Sequence, residues 1–349
     1  PARLLGVPGA TGTPGPAVVV RSRRAGVAAP GAPCDDASMT PAPLPPRLVN
    51  ALPRTVDLRL VVSDMDGTLL DGDGRLPTGL HEVLARMKEH GVLFAPASGR
   101  QLGNLQELLG EIVAQGPVIA ENGTIVADGP RVIYTNTMPA PAVRQAVLAT
   151  RRLFEQGYDV GIVVSGVERA YVERRDERFM EQVRRFYASR QEVDDLLTID
   201  LDNVVKAATF DFQDVERGSS QALMSAVTGV QVMAAGIHWT DMISYTASKG
   251  LALRALQEAH GITPAQTAVF GDYLNDLGLY DYADLSFAME NAHPGIQAVA
   301  NYTAPANTDD GVLRTISELL RRTPPGVGPR PQGPGTGPAA RRPRPHAAT

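Results

Sequence analysis

The segment Asp64-Met65-Asp66-Gly67-Thr68-Leu69 stands directly behind a short apolar run, Leu58 to Ser63. An apolar run of that length reads as a strand covered on both faces, as in a parallel sheet. Parallel sheets bind ligands beyond the carboxyl ends of their strands, so both carboxylates are expected at the active edge of the fold. Side-chain alternation alone puts residues i and i+2 on one side of the chain. Two carboxylates on one side repel unless a cation or a chemical role compensates them. The competing explanation, an EF-hand built on Asp71-Gly72-Asp73-Gly74 and Glu82, fails on spacing. Its fifth position falls on Arg75, its sixth on Leu76 where glycine is needed, and the segment follows a strand rather than a helix.

Behind this segment, Leu80, Val83, Leu84 and Met87 repeat at helical spacing up to a terminating Gly91. Val92 to Ala95 and Val118 to Ala120 are further short apolar runs, separated by a helical stretch through Leu105, Leu108 and Leu109. The pattern resumes with a helix over Lys249 to His260 and runs at Ala268 to Phe270 and Leu285 to Ala288. Strand and helix alternating at both ends predict an α/β fold with a Rossmann-like parallel sheet core. Between them, helix signals at 140–156, 176–188 and 219–228 accompany candidate strands at 160–164, 170–173, 204–211 and 230–234. That stretch predicts an inserted α+β cap.

Composition sets the outer limits. Of 28 prolines in the 349 residues, 18 fall in the 77 residues of 1–50 and 323–349. Such Pro/Ala/Gly-rich tails cannot bury enough apolar surface to offset ordering, and both are expected to be disordered. The expected domains are therefore tails 1–50 and 323–349, a core of 51–137 plus 241–322, and a cap of 138–240. The tails carry +3 and +4 of a net −5, which leaves the core at −12. An acidic body argues against nucleic acid as partner. No apolar run is long enough for a membrane span, and the single cysteine, Cys34, excludes an intrachain disulfide. A cytoplasmic protein is expected; its oligomeric state is not legible.

A second carboxylate group, Gly271-Asp272-Tyr273-Leu274-Asn275-Asp276, follows the run Ala268 to Phe270 as Asp64 follows the first. Ser98-Gly99-Arg100 follows Val92 to Ala95 and offers a hydroxyl and backbone amides suited to a phosphate oxygen, although Ser98 could equally cap a helix. Lys249, ahead of a helix, offers a mobile cation or simply a solvated surface charge. His81, His90, His238, His260 and His293 show no metal-ligand spacing. His238 and Trp239 fall near the return from cap to core, where they would touch substrate or fill the hinge, and Arg100 is open between an ion pair and a phosphate contact.

In that order, Asp64-Met65-Asp66-Gly67-Thr68, Ser98, Lys249 and Gly271-Asp272 through Asp276 resemble the four motifs of the haloacid dehalogenase superfamily of phosphatases. More narrowly, the chain resembles the Cof-type sugar phosphatases with a class IIB cap. The resemblance rests on Ala97-Ser98-Gly99-Arg100-Gln101, Ala120-Glu121-Asn122-Gly123, Ser248-Lys249-Gly250, Phe287 to Ala292 and Asn307 to Gly311. It spans about 58–320; the cap gives almost no motif-level match.

The resemblance implies that Asp64 attacks phosphorus to form an aspartyl phosphate, and that Asp66 protonates the leaving alkoxide and then activates water. A dianionic phosphate entering beside Asp64, Asp66 and Asp272 meets about 4 kcal/mol of repulsion per charge pair at 4 Å, so a divalent metal is expected, and hard oxygens favour Mg2+. By resemblance its ligands are Asp64, the Asp66 backbone carbonyl and Asp272, with Asp276 acting through water or from behind. Met65 and Gly99 amides, Ser98, Lys249 and Asn275 are the expected phosphate-binding set. The expected substrate is a small phosphorylated metabolite, with a sugar phosphate preferred. Alternatives are a phosphatase of flavin mononucleotide or pyridoxal phosphate, a sugar phosphomutase, and a non-catalytic phosphometabolite-binding regulator. Tyr171 and Phe210 are the ring partners visible in the cap strands, which disfavours a large planar substrate.

Overall fold

The computed structural model describes residues 44–324, except 214, 216, 217 and 236. The chain lays down β1 (Leu60–Asp64), β2 (Leu93–Ala97), β3 (Pro117–Ala120), β4 (Ile125–Asp128) and β5 (Arg131–Thr135). It continues through β6 (Val160–Gly166), β7 (Ala170–Val172), β8 (Arg190–Glu192), β9 (Val204–Asp211), β10 (Val230–Ala234) and β11 (Trp239–Ser244), and returns with β12 (Thr267–Gly271), β13 (Leu285–Met289) and β14 (Tyr302–Ala304).

Two sheets result: eight strands in the order β14-β13-β12-β1-β2-β3-β4-β5, and six in the order β10-β11-β9-β6-β7-β8. The first is parallel from β14 to β3. Its strands are apolar throughout because both faces are covered: Leu60 and Val62 enter a core with the helix Lys249–His260, while Val61 enters one with the helices Leu80–Glu89 and Gly311–Arg322. From β1 the order runs one way to β2 and β3, and from β12 the other way to β13 and β14. The strand order reverses between β1 and β12, and the crevice beyond their carboxyl ends is where such sheets bind ligands.

At its edge this sheet adds an antiparallel hairpin, β4 and β5, turned at Gly129 in the left-handed region. The chain then crosses to the second sheet. Its two crossings are tied together: Asn136 Nδ2 donates to Thr246 Oγ1 at 3.0 Å. The helix Ala140–Glu155 covers one face of the second sheet through Val143, Ala146 and Val147, and the helix Glu177–Phe186 lies on the other through Phe179 and Val183.

The domain limits differ from expectation at two points. A boundary at 240/241 would cut β11, which pairs with β9 and β10 inside the second sheet through Ser244. The helix Pro46–Ala51 is folded, with Leu44, Leu48 and Leu52 buried in the main core, and Arg322 Nη1 donates to the Leu52 carbonyl at 2.9 Å. Apolar Leu44, Leu48 and Leu52, spaced by four, overcome the proline-rich composition around them. The expected disorder of 1–43 and 325–349 falls outside the described residues.

Candidate active site

Asp64 ends β1 and is 6% exposed. The turn after it, Met65–Leu69, closes when the Leu70 N–H donates to the Met65 carbonyl at 2.8 Å. Gly67 takes φ +83° in this turn, and a Cβ there would stand 2.4 Å from Asp272 Oδ2, so only glycine lets the turn meet the end of β12. Thr68 Oγ1 donates to Asp272 Oδ1 at 2.9 Å, which locks the two strand ends together.

Lys249 opens its helix behind the N-cap Ser248, and its ammonium bonds Asp64 Oδ1 and, at 2.7 Å, Asp276 Oδ1. Its side chain is fully buried. The expected mobile cation is therefore a fixed one, and the solvated-surface alternative falls with it. Asp276 is buried too, and its second oxygen accepts from the Asp272 and Tyr273 amides at 3.1 and 3.2 Å. Burial and the nearby Asp276 push the Asp64 carboxyl up to about 8, against the pull of Lys249. Burial opposes charge on Lys249, but Asp276 and Asp64 together hold it well above the ordinary lysine value. Carboxylate oxygens of Asp64, Asp272 and Asp276 lie within 4.8 Å of one another.

Asp66 leaves this group. It is exposed, and Arg100 grips its carboxylate with Nε at 3.0 Å and Nη2 at 2.5 Å. Arg100 is thus an ion-pair partner, and its own amide donates to Ser98 Oγ at 3.1 Å. Ser98 does not cap the next helix: the N-cap of Leu102–Leu109 is Gln101.

Between the sheets lies a cavity of about 1070 Å3. Of the expected residues, Asp64, Asp66, Ser98, Gly99, Asp272 and Asn275 line it; Met65, Lys249 and Asp276 do not. Asn122 lines it as well, accepting from Asn275 Nδ2 at 3.2 Å. Asn122 belongs to a turn whose Gly123 has φ +88°, and a Cβ on Gly123 would lie 2.3 Å from the Ser248 carbonyl oxygen. Gly123→Ala should cost at least about 2 kcal/mol, through left-handed strain and a backbone clash. A urea midpoint equal to wild type would refute that.

The cap contributes Phe186, Tyr187, Lys206, Trp239 and Asp241 to the lining. Tyr171 and Phe210, the rings visible in the sequence, do not line it. His238 Nδ1 donates to the Asp211 and Gln213 carbonyls at 3.0 Å, a structural role, whereas Trp239 lines the cavity. Lys206 forms a buried ion pair with core Glu121 and donates to the Gly99 carbonyl at 3.3 Å, joining cap to core. Burial pushes the Glu121 and Asp241 carboxyls above the usual range, opposed by Lys206.

Carboxylates and a lysine gathered where a parallel sheet reverses its order, roofed by an inserted sheet, make an enclosed enzyme site at the edge where such sheets bind ligands. Residues 61–316 match the haloacid dehalogenase-like hydrolase family, and the chain belongs to it. The 5-amino-6-(5-phospho-D-ribitylamino)uracil phosphatase YbjI of Escherichia coli is 29% identical, over 77% of this chain and 99% of its own length. The HMP-PP phosphatase of Escherichia fergusonii is 26% identical over 69% of this chain and 87% of its own. Among solved structures, a haloacid dehalogenase-like hydrolase from Bacteroides thetaiotaomicron superposes with a TM-score of 0.65 at 22% identity, covering 75% of this chain and 99% of its own. Among the described residues no helix is long and apolar enough to cross a membrane.

Proposed function

We propose that the protein is a Mg2+-dependent phosphatase of a small phosphorylated metabolite, working through an aspartyl phosphate on Asp64. The observation that carries this reading is the Asp64 carboxylate itself: buried at a strand end, fixed by Lys249 through one oxygen, in a residue that lines the cavity. A carboxylate nucleophile divides one difficult hydrolysis into two displacements. Lys249 holds Asp64 in place and offsets its charge as the anionic phosphate approaches. Ser98, the Gly99 amide and Asn275 supply donors for the equatorial oxygens, while Met65, expected as a further donor, stands outside the lining. Asp66 protonates the leaving oxygen and then takes a proton from the attacking water, a step that requires Arg100 to loosen its grip.

The donor set suits a hard cation. Asp64 and Asp272 each keep one carboxylate oxygen without a hydrogen-bond partner among the described residues, and Gly67 leaves room beside Asp272 Oδ2. Asp64, the Asp66 carbonyl and Asp272 would hold Mg2+, which when bound neutralises phosphate charge. Asp276, its oxygens spent on Lys249 and two amides, supports Asp272 from behind.

The sugar-phosphate preference needs one extension. Phe186, Tyr187 and Trp239 in the lining favour a substrate in which a phosphorylated sugar or polyol carries a planar ring, and the aminouracil named for the Escherichia coli relative is of that kind. Phosphate release from p-nitrophenyl phosphate should appear with Mg2+ and fall at least about 100-fold in EDTA. Equal rates in Mg2+ and EDTA would defeat the reading. Phosphate release without dependence on a sugar bisphosphate activator would separate it from a mutase.

A further inference from the structure

The roof of the cavity is one face of the cap sheet. In its register, Lys206 stands opposite Ile243, Ala208 opposite Asp241 and Phe210 opposite Trp239, while Met233 and Gln231 on β10 face Asp241 and Ile243. Alternation puts these on a single face. Most of that face is apolar, and its polar groups, Trp239 Nε1 and Asp241 apart, are already engaged. Gln231 Nε2 reaches the carbonyls of Ser244, Tyr245 and Ala247 at 3.0 to 3.1 Å. Lys206 turns to Glu121 and the Gly99 carbonyl.

Of these two, Trp239 Nε1 is a donor and Asp241 an acceptor. The Asp241 side chain is 8% exposed, it lines the cavity, and no hydrogen bond reaches its carboxylate among the described residues. Lys206 Nζ stands 3.8 Å away, beyond hydrogen-bond range. Lys206 and Asp241 form a buried ion pair at that distance, but the carboxylate's acceptors are left without a hydrogen bond, which is costly to keep. Here that carboxylate faces an open cavity walled by rings, with Trp239 edge-on to Phe186 at 5.6 Å and to Tyr187 at 5.8 Å.

We propose that Asp241 is a specificity-determining residue: its carboxylate accepts hydrogen bonds from N–H donors of a planar, nitrogen-containing leaving group that packs against Trp239, Tyr187 and Met233. The inference rests on the phosphatase reading above and extends it to the end of the substrate remote from phosphorus. A site built to accept from N–H groups rejects esters lacking them, because its carboxylate is then left buried and unmatched. Removing the Asp241 charge leaves Lys206 with Glu121, so the cap-to-core ion pair survives in the variants.

The test compares wild type, Asp241→Ala and the isosteric Asp241→Asn on two esters. One is 5-amino-6-(5-phospho-D-ribitylamino)uracil, and the other is p-nitrophenyl phosphate, whose ring offers no N–H. In Asp241→Ala, kcat/KM for the aminouracil ester should fall about 10- to 100-fold further than for p-nitrophenyl phosphate, with the extra loss in KM. Asp241→Asn, which keeps an acceptor oxygen, should lose less. Equal losses on both esters would mark Asp241 as merely structural and overturn the inference, as would a wild type with no preference for the aminouracil ester. Failure of the Mg2+-loaded wild type on both esters would instead bring down the phosphatase reading, and the inference with it.

Discussion

Asp64→Asn is expected to reduce Mg2+-dependent phosphate release by at least about 10^4-fold, the order seen when an enzyme's nucleophile is removed, or about 5.5 kcal/mol of transition-state stabilisation. The change is isosteric and keeps an oxygen toward Lys249. It also removes one of three carboxylates whose oxygens crowd within 4.8 Å, while Lys249 keeps Asp276 as a partner. The melting temperature in metal-free buffer should therefore hold or rise. That combination separates chemistry from folding: a lost nucleophile leaves a folded, silent protein. Incubation with a 32P-labelled ester, quenched in acid, should leave label on wild type and none on the variant. Residual turnover above about 1% of wild type would place the nucleophile on another residue.

The parts of this site legible in the sequence are those fixed by chain-local signals. Apolar runs ending in acidic turns mark β1 and β12, because strands buried on both faces are apolar at every position and their ligand ends are polar. The helix Lys249–His260 and strand β9 appear with the bounds the spacing gives. What was not legible depends on partners distant in sequence. Lys249 has the look of a solvated lysine at a helix start, and only Asp64 and Asp276, brought to it by the sheet order, bury its charge. Strand β11 escapes periodicity because its positions are buried on both faces yet include Thr240, Asp241 and Ser244; of its two faces, the one with Asp241 lines the cavity and need not be apolar. Two of the three ring walls, Phe186 and Tyr187, were missed for a related reason. Both sit where a helix ends, not within a strand, whereas Trp239 stands out beside the return from cap to core even though the strand it opens does not.

Lys249→Met tests the other half of the arrangement, and its effect on stability should be the largest of any single change in the site. The ammonium is the shared partner of two buried carboxylates, and Met fills much of its volume without its charge. Asp64 and Asp276 would then face each other unpaired, and breaking a buried pair in this way costs about 3–5 kcal/mol. Turnover should fall about 10^2- to 10^3-fold as well, because the fixed positive charge that orients Asp64 is gone. Loss of fold alone would mimic that result, and the double variant Lys249→Met/Asp276→Asn distinguishes the two. Its asparagine still accepts from the Asp272 amide, so the turn after β12 keeps its bracing, while only one carboxylate remains in the pocket the lysine vacated. Most of the lost stability should return, read as a urea midpoint near that of wild type, and turnover should not. Recovery of both would mean that Lys249 acts only as a counter-ion for the fold; recovery of neither would mean that its packing, rather than its charge, holds the two strand ends together.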